Sequence, residues 1–330
     1  MLSTLLVLVV VMALLFEFIN GFHDTANAIA TSVYTRALTA RQAISLAAVF
    51  NFIGALVSEK VAMTITHGLV SVELEQYVIL AALLGAITWN LITWYLGIPS
   101  SSSHALIGSL LGATIVHTMS LEYVKWDGVL DKVVIPLCTS PIIGFLLGFT
   151  LMKFLFGTLK DWHPAKANKI FSKLQILSAA LVAYSHGNND AQKTMGIITL
   201  ALISGGMLSP DHGIPLWVKI ACAFMIALGT SVGGWRIMST MGSKVTRLEP
   251  PSGFAAQTAS ALVIEGASFL GAPVSTTQVI TTSIMGVGSA RRFSSVKWGI
   301  AQNIVVAWVV TLPITMCFGG IFEFLLQFIF

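Results

Sequence analysis

Charge is scarce in this chain. Asp, Glu, Lys and Arg make up 10% of its 330 residues against 55% hydrophobic, and the mean hydropathy is +0.85. A surface of that composition cannot face water over most of its area, which excludes a soluble globular domain. The cysteines, Cys138, Cys222 and Cys317, are odd in number, widely spaced and set among apolar residues. They give neither a disulfide framework nor a metal site and read as small buried hydrophobes. No low-complexity or charge-block segment marks a disordered tail, and no H-E-x-x-H motif marks a zinc hydrolase. The first apolar segment lacks a basic leader and a small-residue cleavage site, so it is expected to be a retained span.

Apolar runs are what the chain has in abundance. A bilayer core requires about 20 apolar residues per helix, and hydrophobic segments recur at 2–34, 41–58, 76–97, 98–119, 129–157, 171–204, 214–235, 252–270, 272–290 and 298–328. The expected fold is an all-α polytopic membrane protein, so the lipid bilayer is its first partner. The formal charge of +4 gives no reason to expect nucleic acid, because in such a chain the placement of basic residues matters more than their sum.

The segments form two sets of five. GFHDTAN at 21–27 is echoed by GNNDAQK at 187–193, and GIPSSSSHALIGSLLG at 97–112 by GAPVSTTQVITTSIMG at 271–286. The two pairs keep the same order at offsets of 166 and 174 residues, about half the chain, as expected of a duplicated unit. The expected division is a first repeat over 1–160, a short cytoplasmic linker over 161–170 and a second repeat over 171–330.

Segments 98–119 and 272–290 either cross fully or turn back with their neighbours as re-entrant hairpins; if every segment crosses, five per unit is odd and the second copy must be inverted. Inversion collects on one side Arg36 and Arg41; Lys153, Lys160, Lys166, Lys169 and Lys173; Arg236, Lys244 and Arg247; and Arg291, Arg292 and Lys297. The opposite side keeps Lys60, Lys125, Lys132 and Lys219, while Lys193 lies within the second motif. The positive-inside tendency makes the richer side cytoplasmic and both termini extracytoplasmic.

Inverted repeats are the architecture of secondary transporters, whose ligands sit near the midplane at discontinuous helices. Glycine beside polar residues at Asn20 to Asp24 and at Ser185 to Asp190 is expected to break the helix and free carbonyls. With Asp24, Asn27, Asn189, Asp190 and Gln192 these would suit a small hard cation such as sodium, centred on Asp24 and Asp190. An aspartate at mid-span costs about 2.5–3.5 kcal/mol and is rarely there without a role. Asp24 alone could equally be an interfacial helix cap; its echo at Asp190 argues against that.

Pro99 and Pro273 are expected to open short helices in their first turn, rich in hydroxyls: Ser100, Ser101, Ser102 and Ser103 in one half, Ser275, Thr276 and Thr277 in the other. Hydroxyls and unpaired N–H groups at two facing helix N-termini would hold a tetrahedral oxyanion through neutral donors. Serines in membrane helices also serve packing alone, which weighs most on Ser100. The repeat offsets pair His23, His104 and His186 with Asn189, Gln278 and Asn20. An amide replaces an imidazole in hydrogen bonding but not in transition-metal ligation, so hydrogen bonding is the expected role. Glu17 and Glu265 could protonate, pair or lie at an interface; Lys193 could pair with Asp24 or Asp190, contact the anion, or snorkel.

An intramembrane hydrolase using Ser103 and His104 is disfavoured, because sequence neighbours on a helix do not face each other. A channel is disfavoured by the paired oxyanion pockets. Together NGFHDTANAIAT, SHGNNDAQKTMGII, GIPSSSSHALIG, GAPVSTTQVITTSIMG and GGWRIMSTMG closely resemble the inorganic phosphate transporter (PiT) family, of the bacterial low-affinity type, over nearly the whole chain. The resemblance implies a phosphate permease, not an enzyme, with inverted repeats, cation-coupled uptake driven by sodium or protons, no further cofactor, and a homodimer in the cell membrane. By motif, Asp24, Asn27, Asp190 and Gln192 would serve the ion and phosphate centre, and Ser101, Ser102, Ser103, Ser275, Thr276 and Thr277 would cradle phosphate. Ser100, His104, Asn189, Lys193 and Gln278 stand beside them. The related motif often carries histidine where this chain has Gln278, so a histidine relay lacks its residue there. The alternative within the class is a permease for sulfate or another tetrahedral oxyanion.

Overall fold

A computed structural model describes residues 4–70, 74–232 and 234–330, without the side chains of 25–27, 235–236 and 243–244. The described residues are helical apart from loops and one isolated bridge between Val70 and Val124. In chain order the helices are α1 (Thr4–Tyr34), α2 (Ala40–Ala55), α3 (Lys60–His67), α4 (Gln76–Leu96), α5 (Ser102–Thr118) and α6 (Trp126–Val129), which passes through a π-helical turn into α7 (Ile135–Leu159). There follow α8 (Pro164–Ser204), α9 (Leu216–Val232), α10 (Trp235–Ser239), α11 (Pro250–Phe269), α12 (Thr276–Arg291) and α13 (Trp298–Leu326). Each of the ten hydrophobic segments has its helix. The 161–170 linker is mostly helix, because Pro164 starts α8 with His163 as its cap.

Four helices are long and apolar enough to cross a bilayer alone: α1, α4, the α6–α7 unit and α13. A fifth candidate is the pair α2 and α3, bent by 65° at its break. The remaining long helices are richer in buried polar residues, as befits elements enclosed by others. The protein is a multi-pass membrane protein.

The glycines of the aspartate motifs do not break their helices. Helices α1 and α8 run unbroken through Gly21-Phe22-His23-Asp24 and Gly187-Asn188-Asn189-Asp190. The physical reason is close packing: a Cβ on Gly21 would lie 2.6 Å from the Ile226 carbonyl of α9, and one on Gly187 would lie 2.2 Å from the Asn51 carbonyl of α2. Interiors packed at crystal density leave no room for that atom. The expectation of freed carbonyls at both motifs is therefore corrected. The true interruptions are between α2 and α3, and at 97–101 and 270–275, where Gly97 (φ 66°) and Gly271 (φ 69°) take the left-handed conformation.

Those two interruptions make helical hairpins. Tyr77 at the start of α4 meets His117 at the end of α5, and Glu249 before α11 is ion-paired to Arg291 at the end of α12. Each hairpin therefore opens at one end and points its tip inward. A Cβ on Gly205, at the end of α8, would meet Gln76 and Leu6, while one on Gly253, early in α11, would meet Gln175 of α8. The hairpins thus enter from opposite ends of α8, and their returning arms pack crosswise, α5 on α13 and α12 on α7.

The basic connections gather at one end. Thr35 donates to Gln175, Tyr34 lies against Gly242, and Lys297 N–H donates to the Val245 carbonyl. Away from that end, Lys60 and Lys132 donate to the carbonyls of Phe269 and Leu270 at the tip of the α11–α12 hairpin, and Lys219 pairs with Glu59.

Candidate functional site

The tips of the two hairpins meet against the buried middles of α1 and α8. Ser101 and Ser275 are the N-caps of α5 and α12, their hydroxyls accepting from the backbone N–H of His104 (3.2 Å) and Gln278 (3.3 Å). Side-chain capping satisfies one of the donors that a helix start leaves free. Pro99 and Pro273 each lie three residues ahead of their helix, in the extended tip and not in the first turn as expected.

The next hydroxyls converge on the carboxylates. Ser102 Oγ lies 2.5 Å from Asp24 Oδ2 and 2.8 Å from Asn20 Oδ1 and gives its one proton to the nearer carboxylate, Thr277 donates to Asp24 Oδ1 (3.1 Å), and Thr276 donates to Asp190 Oδ2 (3.0 Å). Ser103 donates to the Val274 carbonyl of the opposite tip (3.2 Å). Asp24 thus receives one hydroxyl from each half. All of these residues are buried.

Lys193 pairs with Asp190 and also donates to Ser103 Oγ and to the Val274 carbonyl (3.0 Å), so it bridges the tips and does not snorkel. His23 Nδ1 donates to Asp24 Oδ1 (2.6 Å), and its Nε2 pairs with Thr93 Oγ1 (3.0 Å), which also accepts from Ser100 (2.8 Å). His186 pairs with Asn51 Oδ1 through Nδ1 (3.0 Å), while its Nε2 lies 3.1 Å from Asp190 Oδ2 without the alignment of a hydrogen bond. Hydrogen bonding is the role expected of both histidines. One atom each from Asp24, His186 and Asp190 nevertheless lies within 4.8 Å of the others, a cluster that can hold a cation. His186 and Asp190 are i, i+4 neighbours on α8, while Asp24, 166 residues before Asp190, joins them only through the packing of α1 on α8.

Gln192, buried two residues past Asp190 on α8, is engaged by α3 and by its own helix. Its Oε1 accepts from Val61 N–H (2.9 Å) and Ala62 N–H (3.3 Å), while its Nε2 donates to the Asn188 carbonyl (2.5 Å). Through these bonds it caps the start of α3. Asn189 donates to Ser268 (2.8 Å) and the Ala272 carbonyl (3.2 Å), steadying the α11–α12 tip, with its Oδ1 free of partners. The side chain of Asn27 lies outside the described residues. His104 Nδ1 and Gln278 Oε1, at equivalent positions one residue past the hydroxyl pairs, are both buried without a partner. Glu17 is buried and accepts from Thr194, with its Oε1 unpartnered, and half-buried Glu265 accepts from Asn188 (3.2 Å).

A helical membrane protein with two inward hairpins, whose hydroxyl-rich tips close on paired buried carboxylates, has the architecture of a secondary transporter. The comparisons make the class specific. The profile of the phosphate transporter family matches residues 20–161 and 156–319. A probable low-affinity inorganic phosphate transporter of Bacillus subtilis (strain 168) is 51% identical over 329 residues, covering 99% of this chain and 98% of that protein. One of the same description from Rhizobium meliloti (strain 1021) is 50% identical over 311 residues, covering 94% and 92% respectively. A solved structure described as the sodium-dependent phosphate transporter superposes with a TM-score of 0.89 at 26% identity, covering 99% of this chain and 100% of that one. The chain belongs to the phosphate transporter family, and it is a transport protein, not an enzyme.

Proposed function

We propose that this protein takes up inorganic phosphate with sodium or protons by alternating access, and that the anion is held between the hairpin tips by Ser101, Ser102, Ser103, Ser275, Thr276 and Thr277. One observation carries the reading: Ser102, Thr276 and Thr277, from both tips, donate to Asp24 and Asp190. A hydroxyl has one donor and two acceptor lone pairs. Donated to a carboxylate, it is unavailable to an anion. A cation on the carboxylate draws on the hydroxyl's lone pairs and frees its proton for phosphate. Neither ligand occupies the centre well alone, so each raises the other's affinity, as linkage requires.

The two carboxylates take cations at different cost. Asp190 must release the Lys193 ammonium, whereas Asp24 has to turn away the hydroxyls of Ser102 and Thr277 and share its Oδ1 with His23 Nδ1. Oxygen ligands come from side chains and from the Val274 carbonyl at the tip, since α1 and α8 keep theirs in the helix ladder. The sodium named for the structural neighbour supports sodium as the coupling ion.

The repeats over 1–160 and 171–330 are read as inverted, supported by hairpins that enter from opposite ends and by the crosswise packing of their arms. The end rich in basic residues is read as cytoplasmic, with both termini outside. A homodimer is carried over from the family resemblance.

Phosphate uptake into proteoliposomes under imposed sodium or proton gradients tests the function. Uptake is expected to follow one gradient and to fail in an Asp24→Asn, Asp190→Asn double variant. Uptake by that variant at the unmodified rate overturns the roles assigned here, and equal competition by sulfate overturns the choice of substrate.

A further inference from the structure

A cavity of about 700 Å³ lies away from the hairpin tips. It opens between the end of α7, the start of α8 and the mouth of the α11–α12 hairpin, where Arg247, Arg291 and Arg292 line it together with Met152, Phe156 and Trp162. Its one acidic residue, Glu249, is engaged by Arg291 (3.2 Å) and by the first turn of α11. Arg247 and Arg292 form no ion pair among the described residues. The cavity is therefore a site of net positive charge with an apolar wall.

The outward side of that wall is itself apolar and open: Phe156 and Trp162 are 40% and 39% exposed. In a membrane protein such a face is covered by acyl chains, so the cavity is reached from the bilayer as well as from water. Inorganic phosphate is far smaller than this space and has no use for apolar walls. Guanidinium groups hold phosphodiester oxygens in a bidentate fork, and basic pockets between helices at a membrane surface are suited to anionic headgroups.

We propose that this cavity binds the headgroup of an anionic phospholipid, with Arg247 and Arg292 on its phosphate and the first acyl carbons against Met152 and Phe156. The site is distinct from the transport centre and holds whatever the coupling ion proves to be.

Native mass spectrometry of the whole protein, released from nanodiscs of phosphatidylglycerol and phosphatidylcholine, tests it. Phosphatidylglycerol is expected to be retained in preference. Arg247→Gln and Arg292→Gln are each expected to lower that preference about fivefold, the effect of one basic residue near an anionic headgroup. Thermal melting checks that each variant folds, and Arg292→Lys, which keeps the charge, is expected to recover part of the preference. Equal retention of the two lipids, or a preference unchanged in the folded double variant, overturns the proposal. Glycerol 1-phosphate displacing the lipid at equal concentration also overturns it, since the ligand would then be a soluble phosphoester.

Discussion

Asp24 and Asp190 occupy matching places in the two halves, yet their surroundings differ. Asp190 has a cation beside it: Lys193 sits one turn on, and His186 lies at 3.1 Å. Asp24 is held by the hydroxyls of Ser102 and Thr277 and by His23. The position matching Lys193 is Asn27. Both halves share a frame, a carboxylate in a buried helix facing a hydroxyl-rich tip, while the counter-charges differ. One carboxylate is paired with a lysine ammonium, and the other is held by hydroxyls and an imidazole.

The largest test of that difference is to remove each carboxylate alone. Asp190→Asn leaves the Lys193 ammonium buried without its partner and is expected to destabilise the protein by about 3–5 kcal/mol, the cost of breaking a buried pair. Adding Lys193→Met is expected to restore most of that loss, as read by unfolding in denaturing detergent. Asp24→Asn strands no cation, so its stability loss is expected to be about 1–3 kcal/mol, while its effect on cation-dependent phosphate binding is the greater of the two. Equal stability losses for the two single variants would remove the asymmetry.

The glycines give a second, smaller contrast. Gly187→Ala brings a Cβ to 2.2 Å from the Asn51 carbonyl and Gly21→Ala to 2.6 Å from that of Ile226. Overpacking of this kind costs about 1–3 kcal/mol, and Gly187→Ala is expected to be the worse. Were these glycines hinges, alanine would slow transport and leave stability alone. A smaller effect still is expected at Gln192. Gln192→Leu strips the cap from α3 and is expected to cost about 1 kcal/mol, with little change in phosphate affinity; a lost cation response would return Gln192 to the ion site.

Much of this was legible in the sequence because it is local. Apolar length marks each long helix, and a Ser or Thr after Gly-x-Pro marks where α5 and α12 begin. The basic residues named for one side do gather at one end, since charge placement is written residue by residue. What the sequence hid depends on partners distant in the chain. Glycine beside asparagine and aspartate suits a broken helix and a close helix crossing equally well, and only the arrival of Ile226 and Asn51 decides between them. Helix α3 is eight residues long and too short for a periodicity signal, so Gln192 had no visible N-terminus to cap. The cavity at Arg247 and Arg292 draws on four helices and could not be read from any one of them.

The most direct measurement is a high-resolution structure of the protein with phosphate and sodium at saturating concentration. The account predicts tetrahedral density between Ser102 and Ser103 on one tip and Thr276 and Thr277 on the other, with a cation against Asp24. Phosphate bound elsewhere, with the hydroxyls still donating to both aspartates, would contradict it.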